Sequence, residues 1–81
     1  MDKIVMYGTT WCADCKKAKS VFEEMEIEYE WINIDEQSEF VDYVIDINDG
    51  MRIVPTIVFP DGSHLSEPSY RELESKLAKM I

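Results

Sequence analysis

The feature that most constrains the fold is a change of hydrophobic period near the start of the 81-residue chain. Residues 3–7 form a short, apolar and partly β-branched run that ends at Gly8, which is typical of a buried strand. From Ala13 onward, the apolar residues recur every three or four positions, which predicts an amphipathic helix. A strand that leads directly into a helix is the first half of a βαβ unit, so the sequence predicts an α/β fold.

The rest of the chain continues this alternation. Pro55 introduces the third strand, and a Pro-Asp-Gly-Ser turn at residues 60–63 separates it from a short fourth strand. Ser69 and Glu72 have capping-box spacing, which marks the first turn of the last helix. The expected order β-α-β-α-β-β-α gives a four-stranded mixed sheet and one domain over residues 1–81. The predicted strands are residues 3–7, 29–34, 56–59 and 64–65, and the predicted helices begin at Ala13, at about Ser38 and after Pro68.

Charge excludes several classes of partner. The chain has 8 basic and 17 acidic residues and a formal net charge of −9. Because binding to phosphates needs clustered cations, we expect neither nucleic acid nor an anionic membrane surface as a partner. The sequence shows no signal peptide and no apolar stretch near the ~20 residues of a membrane helix, so a cytoplasmic location is expected.

The two cysteines carry the chemistry. Cys12 and Cys15 form a Cys-x-x-Cys motif at the point where the first strand turns into the first helix. Unpaired backbone N–H groups and the helix macrodipole favour an anion at Cys12, and a thiolate is the nucleophilic form of cysteine. Cys15 lies one helical turn away and can reach the same sulfur. The spacing therefore predicts thiol–disulfide exchange, in which Cys12 attacks a disulfide and Cys15 resolves the mixed disulfide.

Metal and structural alternatives fit the cysteines less well. A structural zinc ion takes about four ligands, usually Cys or His, whereas this chain has two cysteines and a single histidine, His64. We expect His64 to be exposed and to have no catalytic role. A structural disulfide is unusual in a reducing compartment. No metal site is therefore predicted.

Pro55 is the second informative position. It begins a predicted strand, which is a place where a sheet tolerates proline. Cis bonds are only ~5–6% of X–Pro bonds in folded proteins, so an ordinary trans proline would be the default. With the cysteine motif upstream, we instead predict a cis Pro55 packed against the dithiol. This arrangement would leave the backbone of Val54 free to pair with a substrate.

These motifs resemble those of the glutaredoxin-like redoxins, which have the thioredoxin fold, and the likeness covers nearly the whole chain. The mycoredoxin-type subgroup is the most similar. The resemblance implies that Cys12 is the nucleophile, Cys15 the resolving thiol and Pro55 the cis proline. The segments that carry it are residues 11–15, 54–55 and 61–69.

The resemblance also implies the co-substrates and partners. We expect no tightly bound cofactor, and a low-molecular-weight thiol (glutathione, mycothiol or a similar compound) as co-substrate. Disulfide-containing proteins and a thiol-regenerating or thioredoxin-type reductase are the expected partners of a monomer.

Two differences from ordinary glutaredoxins leave the thiol open. Ser66-Glu67 stands where they have a Gly-Gly pair, and Thr9 or Thr10 stands where they often have a lysine. Mycothiol, bacillithiol or a protein disulfide is then as reasonable a substrate as glutathione. The runner-up function is an electron donor reduced by a thioredoxin reductase, for example one serving ribonucleotide reductase. An iron–sulfur-binding dimer, or an interaction protein with a relic motif, is a further alternative.

In addition to Val54 and Pro55, four side chains are candidates for substrate binding. Trp11 directly precedes the nucleophile and can flank a substrate groove. Arg52 can reach a substrate carboxylate, or instead pair with Asp46 or Asp49 on the surface.

The other two candidates are serines near the start of the last helix. Ser66 and Ser69 can hold an anion through hydroxyl and backbone N–H groups, although helix capping explains Ser69 nearly as well.

Overall fold

The computed structural model describes residues 3–80 and contains one four-stranded sheet with three helices. The strand order is β2-β1-β3-β4. A 3₁₀ turn at Ser38–Phe40 leads into the second helix. The strands are β1 (Val5–Gly8), β2 (Glu30–Asn33), β3 (Thr56–Val58) and β4 (His64–Ser66), and the helices are α1 (Ala13–Glu24), α2 (Val41–Ile47) and α3 (Tyr70–Ala78).

β1 occupies the centre of the sheet. It runs parallel to β2, with Tyr7 opposite Ile32, and antiparallel to β3, with Tyr7 opposite Thr56. α1 makes the crossover that parallel neighbours require, and β3 and β4 form an antiparallel hairpin. The order and the mixed sheet confirm the predicted α/β thioredoxin fold. No helix within residues 3–80 is long and apolar enough to cross a membrane.

Successive side chains of β1 point to opposite faces of the sheet, and both faces are covered by helices. Met6 faces the core beneath α1 and α3, where Phe22 and Leu77 are fully buried. Tyr7 faces the opposite side, against α2. Its ring lies 5.7 Å from that of Phe40, centroid to centroid. Because both faces are covered, the carboxyl end of β1 is held firmly where the chain turns toward α1.

Two sequence expectations need correction. The pattern predicts a second helix from about Ser38 to Asp49 with Gly50 as its stop, and a last helix with Tyr70, Leu73, Leu77 and Met80 along one side. The second helix is shorter than expected, because its first turn is 3₁₀ and its α-helical part ends at Ile47. Gly50, with φ of 95°, follows this end as the predicted stop. Leu73 and Leu77 are buried, but Tyr70, the first residue of α3, and Met80, two residues past its end, are exposed. His64 is exposed, as predicted.

A buried polar network fixes the chain just before β3. The side-chain amide of Asn48 donates to the carbonyl of Val44 at 2.8 Å and to the hydroxyl of Thr56 at 3.0 Å. The Thr56 hydroxyl in turn donates to the carbonyl of Ile53 at 2.7 Å. Ser66 donates its hydroxyl to the side-chain carbonyl of Asn48. These bonds connect α2, the residues before Pro55, and β4.

The predicted capping box of α3 is present. The Glu72 N–H donates to the Ser69 hydroxyl at 3.1 Å, and the Ser69 N–H donates to the Glu72 carboxylate at 2.9 Å. Two N–H groups that a helix start leaves unpaired are thereby satisfied.

Replacing Ser69 by alanine therefore tests the cap. We expect Ser69→Ala to lower the free energy of unfolding by about 1 kcal/mol, the usual cost of losing a serine cap. Urea unfolding of both variants followed by circular dichroism measures it, with Ser75→Ala as the matched control, because Ser75 is exposed within the same helix. Equal stabilities of the two variants would show that the cap contributes nothing.

Candidate active site

Cys12 lies at the N-terminus of α1, in the N-cap position. Its Sγ accepts a hydrogen bond from the backbone N–H of Cys15 at 3.1 Å. Its thiol points to the carbonyl oxygen of Val54, 3.7 Å away. When Cys12 is ionised, the Cys15 N–H and the helix dipole face the negative sulfur. The sulfur therefore lies at a helix start, beside the residue that precedes Pro55.

Cys15 lies deeper than Cys12. It is 1% exposed, against 7% for Cys12, and both cysteines are free thiols. Burial, together with the hydrogen bond to Cys12, raises the pKa of the Cys15 thiol to about 12, although a backbone hydrogen bond from Thr9 opposes the rise. At neutral pH, Cys15 is therefore a protonated thiol behind Cys12.

Gly8 leaves the space that Cys15 occupies. A Cβ at position 8 would lie 2.6 Å from the Cys15 Sγ and 2.9 Å from the Trp31 ring. Both distances are far shorter than normal van der Waals contacts. The last residue of β1 is thus glycine because the buried sulfur and an aromatic ring pack against it.

The peptide bond between Val54 and Pro55 is cis, as predicted. The Pro55 carbonyl accepts the backbone N–H of Glu67 at 2.9 Å, which ties the start of β3 to the end of β4. Among residues 3–80, no backbone carbonyl accepts a hydrogen bond from the Val54 N–H. The backbone of Val54 therefore faces Cys12 through its carbonyl and retains a donor.

Asp35 connects the two loops that flank Cys12. Its Oδ2 accepts from the indole Nε1 of Trp11 at 2.9 Å, and its Oδ1 accepts from the Nη2 of Arg52 at 3.0 Å. Trp11 remains 66% exposed despite this bond. The ion pair of Arg52 is made with Asp35 and not with Asp46 or Asp49, the surface alternative named above, because the turn after β2 brings Asp35 within reach.

The two candidate serines make internal hydrogen bonds. The Ser66 hydroxyl belongs to the Asn48 network, and the Ser69 hydroxyl caps α3. Ser69 also lines an open groove of about 330 Å³ between α1 and the start of α3. Other residues along the groove are Asp14, Lys17, Val21, Glu67 and Tyr70.

Comparison with known proteins agrees with this arrangement. The glutaredoxin family model matches residues 4–65, which include both cysteines and Pro55. The chain belongs to the glutaredoxin family. Like other members, it is a thiol–disulfide oxidoreductase with a Cys-x-x-Cys pair at Cys12 and Cys15.

Individual relatives support the assignment. Mycoredoxin 1 of Corynebacterium glutamicum is 34% identical over 77 residues, covering 95% of each chain. The glutaredoxin-like protein NrdH of Lactococcus lactis is 41% identical over 58 residues, covering 72% of this chain and 78% of that protein. A glutaredoxin structure from Archaeoglobus fulgidus superposes with a TM-score of 0.75 at 27% identity, covering 98% of this chain and 85% of its own.

Sequence reasoning missed Asp35 and Asn48. Both residues act through contacts with residues distant in the chain, Asp35 with Trp11 and Arg52, and Asn48 with Thr56 and Ser66. Asn48 falls on the helical stripe of the second helix and looks like an ordinary member of it. The only local signal for Asp35 is its place directly after a predicted strand.

The packing around Gly8 gives a first prediction. We expect Gly8→Ala to lower the free energy of unfolding by about 1–3 kcal/mol, the usual cost of overpacking a core. Chemical denaturation under reducing conditions measures the loss. If the added methyl group clashes with the Cys15 sulfur, the loss is smaller in a Cys15→Ala background. The same loss in both backgrounds would mean that the sulfur is not the obstacle.

The buried thiol gives a second prediction, in pH dependence. An unfolded cysteine ionises at a pKa of about 8.5, whereas the folded pKa of Cys15 is about 12. Between these values the unfolded chain binds fewer protons than the folded chain, so stability falls as pH rises. The loss attributable to Cys15 approaches ~1.4 kcal/mol per pH unit.

This loss is measured between pH 8 and 10.5 by urea unfolding of Cys12→Ser, in which a single thiol titrates. The double variant Cys12→Ser, Cys15→Ser is the control, because it keeps every other titrating group. We expect the two stability curves to run parallel near pH 8 and to diverge above pH 9. Parallel curves across the whole range would contradict a raised pKa at Cys15.

Proposed function

We propose that this glutaredoxin reduces mixed disulfides of low-molecular-weight thiols, and protein disulfides, by dithiol exchange. The observation that carries the proposal is the setting of the Cys12 sulfur. It accepts the Cys15 N–H at the start of α1 and lies beside the Val54 carbonyl. Cys12 is then the attacking sulfur and Cys15 the resolving one.

In the first step, the Cys12 thiolate attacks one sulfur of a substrate disulfide. The bond between Cys12 and that sulfur forms while the substrate S–S bond breaks, and the other half leaves as a thiolate that takes a proton from water. The Cys15 N–H, which stabilises the thiolate, remains close to the sulfur throughout. The product is a mixed disulfide on Cys12.

In the second step, Cys15 loses its proton and attacks the Cys12 sulfur. The Cys12–Cys15 bond forms, and the second substrate half leaves as a thiolate and is protonated. Two electrons have passed from the dithiol to the substrate disulfide. Because burial raises the pKa of Cys15 to about 12, Cys15 does not compete with Cys12 for the substrate and acts only after the mixed disulfide has formed.

A co-substrate thiol or a reductase must then restore the dithiol. We propose a low-molecular-weight thiol such as glutathione or mycothiol, working in the reducing cytoplasm. Two molecules of the thiol reduce the Cys12–Cys15 disulfide and leave as their own disulfide. Similarity to a mycoredoxin over nearly the whole chain supports a thiol of this kind.

Substrate binding is proposed to use the surfaces around Cys12. The free N–H of Val54, beside cis Pro55, can donate to a peptide-like group of the substrate. The exposed ring of Trp11 offers an apolar surface next to the reactive sulfur. Arg52 stands on the same loop as Val54, but its guanidinium is paired with Asp35.

The groove between α1 and α3 is proposed to hold the distant part of the substrate. Ser69 lies at its wall, at the N-terminal end of α3, where backbone N–H groups favour an acceptor. Ser66, held by Asn48, fixes the adjoining turn that places Glu67 against Pro55.

Similarity to one relative supports a second candidate function. The chain is 41% identical to a glutaredoxin-like NrdH protein over 72% of its length. Exposed Trp11 and Met51, each on a loop that flanks Cys12, offer apolar contacts to a protein partner. The alternative is therefore an electron donor that a thioredoxin-type reductase, rather than a small thiol, regenerates.

Turnover of the mixed disulfide formed by hydroxyethyl thiol tests the proposal. We expect Cys12→Ser to lose essentially all activity, because it lacks the attacking sulfur. Cys15→Ser should retain activity with the thiol that serves as co-substrate, since a second thiol molecule can replace Cys15. Wild type and both variants are assayed with glutathione and mycothiol in turn, and with a thioredoxin reductase.

The outcomes separate the two functions. Turnover with one small thiol supports the proposed function and identifies the co-substrate. Turnover with the reductase alone supports the electron donor. Activity that persists in Cys12→Ser would contradict the assignment of Cys12 as nucleophile.

A further inference from the structure

Asp35 is held in a fixed position beside the dithiol. It follows β2, and its backbone N–H donates to the side-chain carbonyl of Asn33 at 2.9 Å. The residue before it is also anchored, since the Ile34 N–H donates to the Gly8 carbonyl at 2.9 Å. The carboxylate of Asp35 therefore projects from the end of the central strands, next to the loop that carries Cys12.

Each oxygen of this carboxylate has a different partner. Oδ2 accepts from the Trp11 indole, and Oδ1 accepts from the Arg52 guanidinium. Trp11 precedes Cys12, and Arg52 stands two residues before Val54, whose carbonyl faces the Cys12 sulfur. One side chain thus holds the residues on both sides of the nucleophile.

The ion pair between Arg52 and Asp35 offsets the positive charge of Arg52. Arg52 is the only cation in the two loops at residues 9–12 and 49–55. Its guanidinium lies 3.0 Å from Asp35. The groove adds little positive charge, because Lys17 is 3.9 Å from Asp14, and Glu67 and Glu72 line the same groove. A substrate carboxylate arriving beside Cys12 would therefore compete with Asp35 for Arg52.

We propose that Asp35 is a specificity-determining residue, which holds Arg52 and Trp11 so that the dithiol favours disulfides without a carboxylate near the sulfur. The inference rests on the proposed disulfide reduction and names its substrate class. Neutral and cationic disulfides react readily, whereas glutathione disulfide, with two carboxylates on each half, reacts more slowly. Arg52 then serves to hold Asp35 rather than to bind a substrate anion.

Three disulfides of different charge test this proposal: cystamine (cationic), hydroxyethyl disulfide (neutral) and glutathione disulfide (anionic). Each is mixed with reduced protein in a single turnover, which is stopped with acid, and the oxidised fraction is measured by mass spectrometry. The protein itself is the reductant, so no other thiol affects the rate. The variant is Asp35→Asn, which keeps the shape and one carbonyl acceptor but removes the charge.

We expect Asp35→Asn to raise the rate constant for glutathione disulfide about two- to fivefold, the size of a partly exposed ion pair. The rate for hydroxyethyl disulfide should change less than twofold, and the rate for cystamine should fall. Adding Arg52→Gln to Asp35→Asn should abolish the gain, because the freed cation is then lost. In 1 M salt the gain should shrink, since the charges are screened.

A merely structural role for Asp35 would give a different pattern. Asp35→Asn would then change all three rates by the same factor, and Arg52→Gln would not reverse the effect; this result overturns the proposal. The variant Trp11→Phe isolates the indole bond, because it keeps an aromatic ring but has no N–H donor. If it reproduces the charge-dependent effect of Asp35→Asn, the role assigned to Arg52 is wrong.

Failure of the proposed function would look different again. A reduced, folded wild-type protein that reacts with none of the three disulfides contradicts disulfide reduction itself, and the specificity of Asp35 with it. A wild type that reacts with all three at equal rates, and keeps equal rates in Asp35→Asn, supports disulfide reduction and contradicts the charge preference alone.

Discussion

The hydrogen bond from the Cys15 N–H to the Cys12 sulfur is the interaction on which the site depends. It forms because Cys12 takes the place of a helix cap, where a serine or threonine oxygen would usually satisfy the same donor. The sulfur thereby accepts an N–H that the helix start would otherwise leave unpaired. The same N–H faces the sulfur when Cys12 is a thiolate. The rest of the fold keeps this one helix start beside the cis bond at Pro55.

The two cysteines differ in how deeply they are buried. Cys12 lies at the start of α1 and is 7% exposed, whereas Cys15 turns inward against Gly8 and is 1% exposed. Desolvation holds Cys15 as a thiol, whereas the Cys12 sulfur faces a backbone N–H at the start of α1. Two cysteines one helical turn apart thus differ in burial, and the proposed mechanism assigns attack to Cys12 and resolution to Cys15. In the proposal above, Asp35 also affects substrate choice, because it neutralises Arg52 where a substrate carboxylate would approach.

Local pattern was enough to predict the order of strands and helices, the capping box at Ser69 and the position of the cysteines at a strand-to-helix turn. The cis form of Pro55 required the additional argument that a dithiol lies nearby. The partner of Arg52 could not be predicted, since Asp35 is 17 residues away and only the turn after β2 brings the two together. The exposure of Tyr70 could not be predicted for a related reason: periodicity identifies one side of a helix but not which residues of that side are covered.

Selective alkylation of the reduced wild-type protein tests the central claim, that Cys12 alone is the reactive sulfur. Iodoacetamide is added below one equivalent at pH 7, and the modified peptides are quantified by mass spectrometry. Because the thiolate is the reacting form, the account predicts label on Cys12 in at least about tenfold excess over Cys15. Equal labelling of the two cysteines, or a preference for Cys15, would contradict it.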